Sequence, residues 1–414
     1  MRRRGSGDAM KWTIGLAGLV AGSSIFALAS CADSSEDSSN DVLDGSVIPS
    51  AEASVDAADD ACADGGDACA APKDPCEGAS FCPMMTGIDP RRALMGIWGT
   101  GPTDVWAVGT NGTILHWDGT AWVLTPSDTN QALFAVTGRS ATDVWAVSSR
   151  AVVLHSNGFA GGTATWTAAP PVADTFKDPN STVWNEALLL SARTTAQGDV
   201  WLGGEPYPVV VDDGGHAMSM SLWRRGETDG TTTWNFATIA TNAVTVRGLW
   251  SDPGGDVWAV GGMAPNAAKP AGRTFHATGT NGPRGPVWTE YDSRSSSTLN
   301  AVWASGAGDV WAVGDRGTLR HWKSADQTRW DIVESPTDED LEAIWGSASN
   351  DVWAVGGNGT ILHFDGTTWA LAPGAFPHGL KPHLHGIWGS SPSDVWIVGD
   401  GVVLHRVTNV VEAP

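Results

Sequence analysis

"DVWAVGGNGTILHFDGTTW" occupies Asp351–Trp369, and "DVWAVGTNGTILHWDGTAW" occupies Asp104–Trp122. One phrase is thus written twice. Its opening Asp-Val-Trp recurs at Asp143, Asp199, Asp256, Asp309 and Asp394. Successive starts lie 39, 56, 57, 53, 42 and 43 residues apart. A period in this range marks a repeat array, whose single unit has two faces to bury and only its neighbours to bury them.

Each unit holds four short runs rich in Val, Ile, Trp and Thr. They are "L-x-small-I-W-G" (Leu94–Gly99, Leu341–Gly346), "DVWAVG", "GTILHW", and a last short run ending in Trp, as at Trp122 and Trp369. Polar or Gly-bearing turns separate the runs, the "DG" turn is a hairpin signal, and no segment has helical periodicity. Four strands per unit and seven units predict an all-β, seven-bladed β-propeller. The Trp of "DVW" and the Trp of the fourth run hold thirteen of the chain's 23 Trp. That concentration makes them blade-to-blade filler. The small residue of the innermost run is read as Gly96, Ala135, Ala187, Gly248, Ala301, Ala343 and Gly386, where blades converge on the axis. The Asp of "DVW" follows a polar turn in every unit and is expected to cap it through backbone amides.

"GTILHWDGTAW" (Gly112–Trp122) resembles the Asp-box hairpin of BNR-repeat propellers, with Asp directly before Gly and His where the full box has Ser. The longer phrase is similar to the photosystem II assembly-factor-like propellers. The resemblance covers Ala93–Pro414 and implies the fold; a fold of this kind hosts many functions.

Basic residues (Arg2, Arg3, Arg4, Lys11) precede an apolar run from Trp12 to Leu28, the pattern of a signal peptide, with Met10 as good a start as Met1. The segment closes on Leu28-Ala29-Ser30-Cys31, which resembles the lipobox of bacterial lipoproteins. That resemblance implies cleavage before Cys31, a diacylglyceryl group on its sulfur and palmitate-type acyl chains that anchor the protein to a membrane. With Ala32 after the Cys, it also implies the outer membrane or cell surface of a bacterial envelope.

Residues 1–30 hold four basic groups and one acid, so their removal takes the formal charge from −22 to −25. Such a chain is not expected to bind nucleic acid. From Ala32 to Pro75, twelve acids face Lys73 alone, the composition of a solvated tether. Residues 1–30 therefore read as signal peptide, 31–75 as acidic tether, 76–92 as a Cys-containing lead-in and 93–414 as propeller. Beyond Cys31, the cysteines Cys62, Cys69, Cys76 and Cys82 are expected to form two disulfides, with three pairings open.

No catalytic or cofactor fingerprint is present. A sialidase-like site needs a Tyr nucleophile with a carboxylate partner and an Arg triad. Glu290-Tyr291 offers only the pair, near the outer end of blade four. His116, His155, His276, His321, His363 and His405 share one repeat position, where blade three is read as Leu222, and are taken as packing residues. "H-L-H" (His383, His385) places two rings on one side of a strand near His378, without a further ligand to make a metal site.

Four expansions, Pro170–Trp184, Glu205–Met218, Met263–Arg273 and Pro373–His383, fall where strand two meets strand three or one blade meets the next. These loops share one face. The second residue of "L-x-small-I-W" lies on that face and varies while its neighbours repeat. It is read as Met95, Phe134, Glu186, Arg247, Asn300, Glu342 and His385, a candidate binding mouth around the channel. The expected function is a monomeric, non-catalytic binding scaffold for a protein or glycan. The alternatives are a sialidase-like glycan hydrolase, which requires paired carboxylates about 5–10 Å apart at the mouth, and a purely structural envelope protein, which requires no pocket there.

Overall fold

The computed structural model describes residue 74 and residues 76–406, apart from 173–175, 178–183, 186, 212–215, 238–243, 264–271, 279–285, 325 and 378–380. The signal, tether and lipid-attachment readings, with Cys31, Cys62 and Cys69, lie outside the described residues. The described chain is all-β: seven sheets, each of four antiparallel strands, with a separate pair at Phe176–Lys177 and Trp184–Asn185. In blade one the strands Leu94–Gly101, Asp104–Gly109, Ile114–Trp117 and Trp122–Thr125 lie side by side in chain order, innermost first. Blades two to six repeat this order. Each innermost strand abuts those of the blades before and after, and blade one abuts blade seven, so the ring is closed.

The Trp of "DVW" is buried in all seven blades. The outermost strand of the next blade meets it edge-on, with ring centroids 5.4 Å apart for Trp106–Trp166, 6.2 Å for Trp145–Trp234 and 5.6 Å for Trp201–Trp288. The series continues at 5.4 Å for Trp258–Trp330, 5.3 Å for Trp311–Trp369 and 5.3 Å for Trp396–Trp122. T-shaped geometry puts the positive edge of one ring on the negative face of the other, about 0.5–1.5 kcal/mol beyond burial for each pair. Trp166 and Trp330 also donate their indole N–H to Thr125 and Thr274 of the preceding blade.

The seventh contact comes from outside the repeats. Blade seven runs Leu384–Ser391, Asp394–Gly399 and Val402–Arg406, and its fourth strand is Phe81–Pro83 from the lead-in. Phe81 pairs with Arg406 and Pro83 with Leu404. The Phe81 ring is fully buried and meets Trp353 of blade six edge-on at 5.2 Å, where the other blades use Trp. The lead-in thus contributes a strand to the ring. Its Cys76 is disulfide-bonded to Cys82 within that strand's surroundings.

The expansion at Pro373–His383 holds this strand from its other edge. Ser80 N donates to Pro373 O, and Ala375 N donates to Phe81 O. The expansion at Glu205–Met218 lengthens its blade: Val200–Val211 and His216–Thr228 stay paired from Tyr207↔Met220 to Val211↔His216. Small residues on the inner strands have a direct cause. A Cβ on Gly96 would come within 2.9 Å of Phe134 O in the next blade, and one on Gly248 within 2.8 Å of Ala301 Cα.

Candidate functional site

The repeated Asp and His form one unit. Asp104 Oδ1 accepts from His116 Nε2 at 2.7 Å and from Trp106 Nε1 at 3.1 Å, while Oδ2 accepts from the Thr100 hydroxyl. Blades six and seven repeat the set with Asp351, His363, Trp353 and Ser347, and with Asp394, His405, Trp396 and Ser390. Each imidazole also lies against its indole, with centroids 3.7–4.4 Å apart across the six His-bearing blades. In blade three the residue paired with Trp201 is Arg224, two positions beyond Leu222. Arg224 ion-pairs with Asp199 at 2.8 Å and stands 5.5 Å over the Trp201 ring.

The position is therefore a hydrogen-bonded partner of the Asp and not an apolar packing site. In blades one, six and seven the Asp of "DVW" joins side chains within the blade, in place of the expected backbone amides of the turn. Turn capping falls to the Asp of "DG": Asp118 accepts from Thr120 N and Ala121 N, and Asp365 from Thr367 N and Thr368 N. In blades one, five, six and seven a carboxylate holds the centre of the unit, with hydroxyl and imidazole on separate oxygens. That is bracing geometry, unlike a nucleophile–imidazole relay.

Burial by itself would raise the Asp104, Asp351 and Asp394 carboxyls, but the imidazole and hydroxyl hydrogen bonds outweigh it and hold them below 3.8. Burial lowers His276 and His321 below 6.5, with the Asp256 and Asp309 carboxylates opposing. Acid acts on both groups in one direction. The unfolded chain carries more protons on these His from pH 6.5 down to their folded values, and on these Asp from pH 3.8 down to theirs. Stability is expected to fall on acidification in two stages, the first starting near pH 6.5 and the second below about pH 4. Urea midpoints that stay level or rise between pH 7.5 and pH 5 would contradict the His part.

An axial cavity of about 350 Å³ is lined by all seven inner strands. Six of the sequence-read mouth residues lie on it: Met95, Phe134, Arg247, Asn300, Glu342 and His385. In blade three Ser191, Ala192 and Arg193 pair with Gly203, Leu202 and Trp201, as Gly96, Ile97 and Trp98 pair with Val108, Ala107 and Trp106 in blade one. The small residue there is Ser191, not Ala187. Leu190 takes the seventh lining position, and Glu186 lies outside the described residues.

The mouth is two-sided. Blades one to three present Met95, Phe134 and Leu190; blades four to seven present Arg247, Asn300, Glu342 and His385. His385 Nε2 bonds Asp400 at 2.9 Å, and Asn300 Nδ2 donates to Asp315 Oδ1 at 2.9 Å and to Leu341 O at 3.0 Å. Burial pushes the Glu342 carboxyl up, with His385, Arg247 and His383 pulling it back.

Other candidates are absorbed by packing. Tyr291 lies 4.6 Å from Trp322, between blades four and five, and Glu290 is paired with Arg273 at 2.8 Å. The His383 and His385 rings are 5.6 Å apart. No group of three potential metal ligands occurs among the described residues. The opposite end of the cavity went unread in the sequence. Trp98, Trp250, Trp303, Trp345 and Trp388, with Thr137 and Arg193, line it. The Gly after Trp in "IWG" is the signal available in the sequence: a Cβ on Gly346 would come within 2.6 Å of Trp303, and one on Gly389 within 2.7 Å of Trp345.

A closed ring of seven four-stranded blades around an axial cavity defines the chain as a seven-bladed β-propeller. Among solved structures it is similar to YCF48 from Cyanidioschyzon merolae, with a TM-score of 0.56 and 17% identity over 79% of this chain and 99% of that one. It is also similar to YCF48 in a structure described as bound to D1 peptide, with a TM-score of 0.55 and 18% identity over 81% of this chain and 97% of that one. The likeness to photosystem II assembly-factor-like propellers therefore holds for the fold. No protein-family model and no curated protein matches the chain.

Proposed function

We propose that the chain is a lipid-anchored, extracytoplasmic scaffold whose propeller captures a protein partner at its axial mouth, without catalysis. The observation that carries this reading is the cavity: variable side chains on repeated positions ring one concave site, apolar on one side and polar on the other. A purely structural role called for no such pocket. A sialidase-like hydrolase called for a free Tyr–carboxylate pair, and Tyr291 and Glu290 are committed to packing and to Arg273. A peptide as the ligand class is supported by the YCF48 structure described as bound to D1 peptide.

The test is an exchange of charge at the mouth. Arg247→Glu combined with Glu342→Arg is expected to weaken capture of partner from envelope extract by about tenfold, or roughly 1.4 kcal/mol, with the melting temperature unchanged. Unchanged capture removes the mouth from the function, and retention on a glycan panel in place of protein replaces the ligand class. The anchor has its own test. Cys31→Ser is expected to move the protein from the membrane pellet to the soluble fraction and abolish palmitate labelling. A variant that stays labelled and sedimented would remove Cys31 as the attachment point.

A further inference from the structure

The polar half of the mouth contains two acceptors without donors. Asn300 is buried, and its amide orientation is fixed because both groups beside Nδ2, Asp315 Oδ1 and Leu341 O, can only accept. That leaves Asn300 Oδ1 buried with no hydrogen bond. A buried acceptor in this state is rare in a folded protein and calls for a partner. Leu341, which Asn300 reaches, directly precedes Glu342 on the next blade. The half-buried Glu342 carboxylate has no ion pair or hydrogen bond among the described residues. Arg247, one blade before Asn300, has none either. Thus an acid and a base flank Asn300 on the cavity wall without closing on each other.

Resting on the reading of the mouth as a protein-binding site, we propose that it takes one cationic side chain of the partner, a lysine or arginine. The cation donates to the Glu342 carboxylate and to Asn300 Oδ1. A neighbouring residue of the same segment lies on Met95, Phe134 and Leu190. Arg247 repels the cation from the blade-four side and so fixes where it sits. Residues 76–414 hold 33 acids against 19 basic groups, and this excess draws a basic segment toward the propeller over long range. A bound metal ion is a poorer fit, since no group of three ligating side chains occurs among the described residues.

The experiment uses the full chain in detergent and immobilised pools of N-acetylated, C-amidated nonapeptides. Their flanks are random and apolar, and their central residue is lysine, norleucine or glutamate. The lysine pool is expected to be retained about tenfold better than the norleucine pool, the equivalent of roughly 1.4 kcal/mol, with the glutamate pool weakest. Added salt should shrink the lysine preference in the unmodified protein. Glu342→Gln, which breaks no contact, should erase it, and Phe134→Ser should weaken lysine and norleucine pools alike. Equal retention of lysine and norleucine, still dependent on Phe134, overturns this inference and leaves the mouth as a binding site. Retention of no pool, or a lysine preference that survives Glu342→Gln, also overturns it. If the charge-exchanged variant then captures partner normally as well, the proposed function falls with it.

Discussion

Phe81→Ala is expected to cost about 3–5 kcal/mol of folding stability, the range for truncating a fully buried aromatic side chain. Phe81 lies in a three-residue strand before the first repeat, which makes so large an effect unexpected from sequence position alone. Its ring supplies the seventh of seven edge-on contacts, against Trp353. Its backbone is held on both edges, by Arg406 and by Ala375. Loss of the ring removes the apolar joint between blades six and seven. The cost should match that of Trp330→Ala, a fully buried aromatic directly before the outer strand Asp331–Val333 at an internal joint. Urea unfolding measures both. A cost below about 0.5 kcal/mol for Phe81→Ala, the scale of an ordinary surface change, would show that the ring does not depend on this strand.

Asp104→Ala is expected to cost about 2–3 kcal/mol, because it strands several donors at once in a part-buried site. His116 Nε2, Trp106 Nε1 and the Thr100 hydroxyl all lose their acceptor, and His116 is 3% exposed. Asp104→Asn keeps an acceptor for one donor and should fall between wild type and alanine. Asp118→Ala, at the exposed "DG" turn, should cost less than Asp104→Ala, although both residues sit in the same repeat and accept several hydrogen bonds. Equal costs for Asp104→Ala and Asp118→Ala would mean that the Asp–His–Trp unit adds nothing beyond turn chemistry.

The repeat made most of the fold legible. "DVW" fixed seven blades because its Trp is a large apolar group at one register position, and every copy is buried. The mouth was legible in six blades because "L-x-small-I-W" keeps its phase wherever the hydrophobic pattern survives. It failed in blade three, where Arg193 stands in the place of Trp and the run Leu188–Leu190 offers several starting points. The closing strand hid for another reason. "FCP" is too short and too Pro-bearing to read as a strand, and its partner lies more than three hundred residues away. Among the described residues, the outer neighbour of Val402–Arg406 is Phe81–Pro83, a pairing that no local pattern around either segment announces.

The Asp–His unit was also within reach. In blades one, two, five and six the His follows the Asp by the same twelve residues. A two-strand hairpin brings Asp and His together, and neither strand's own period shows it, so in the sequence they look like separate turn and packing residues. The unpartnered Asn300 Oδ1 depends on side-chain orientation and had no signal in the sequence.

Hydrogen exchange at the amides of Val402–Arg406, measured for the native chain and for Phe81→Ala, tests ring closure most directly. If Phe81–Pro83 completes blade seven, this strand is an interior strand in the native chain. Its amides exchange as slowly as those of Thr318–Trp322 in blade five, and Phe81→Ala releases them selectively. Fast exchange of Val402–Arg406 in the native chain, as at an open sheet edge, would contradict the closed ring.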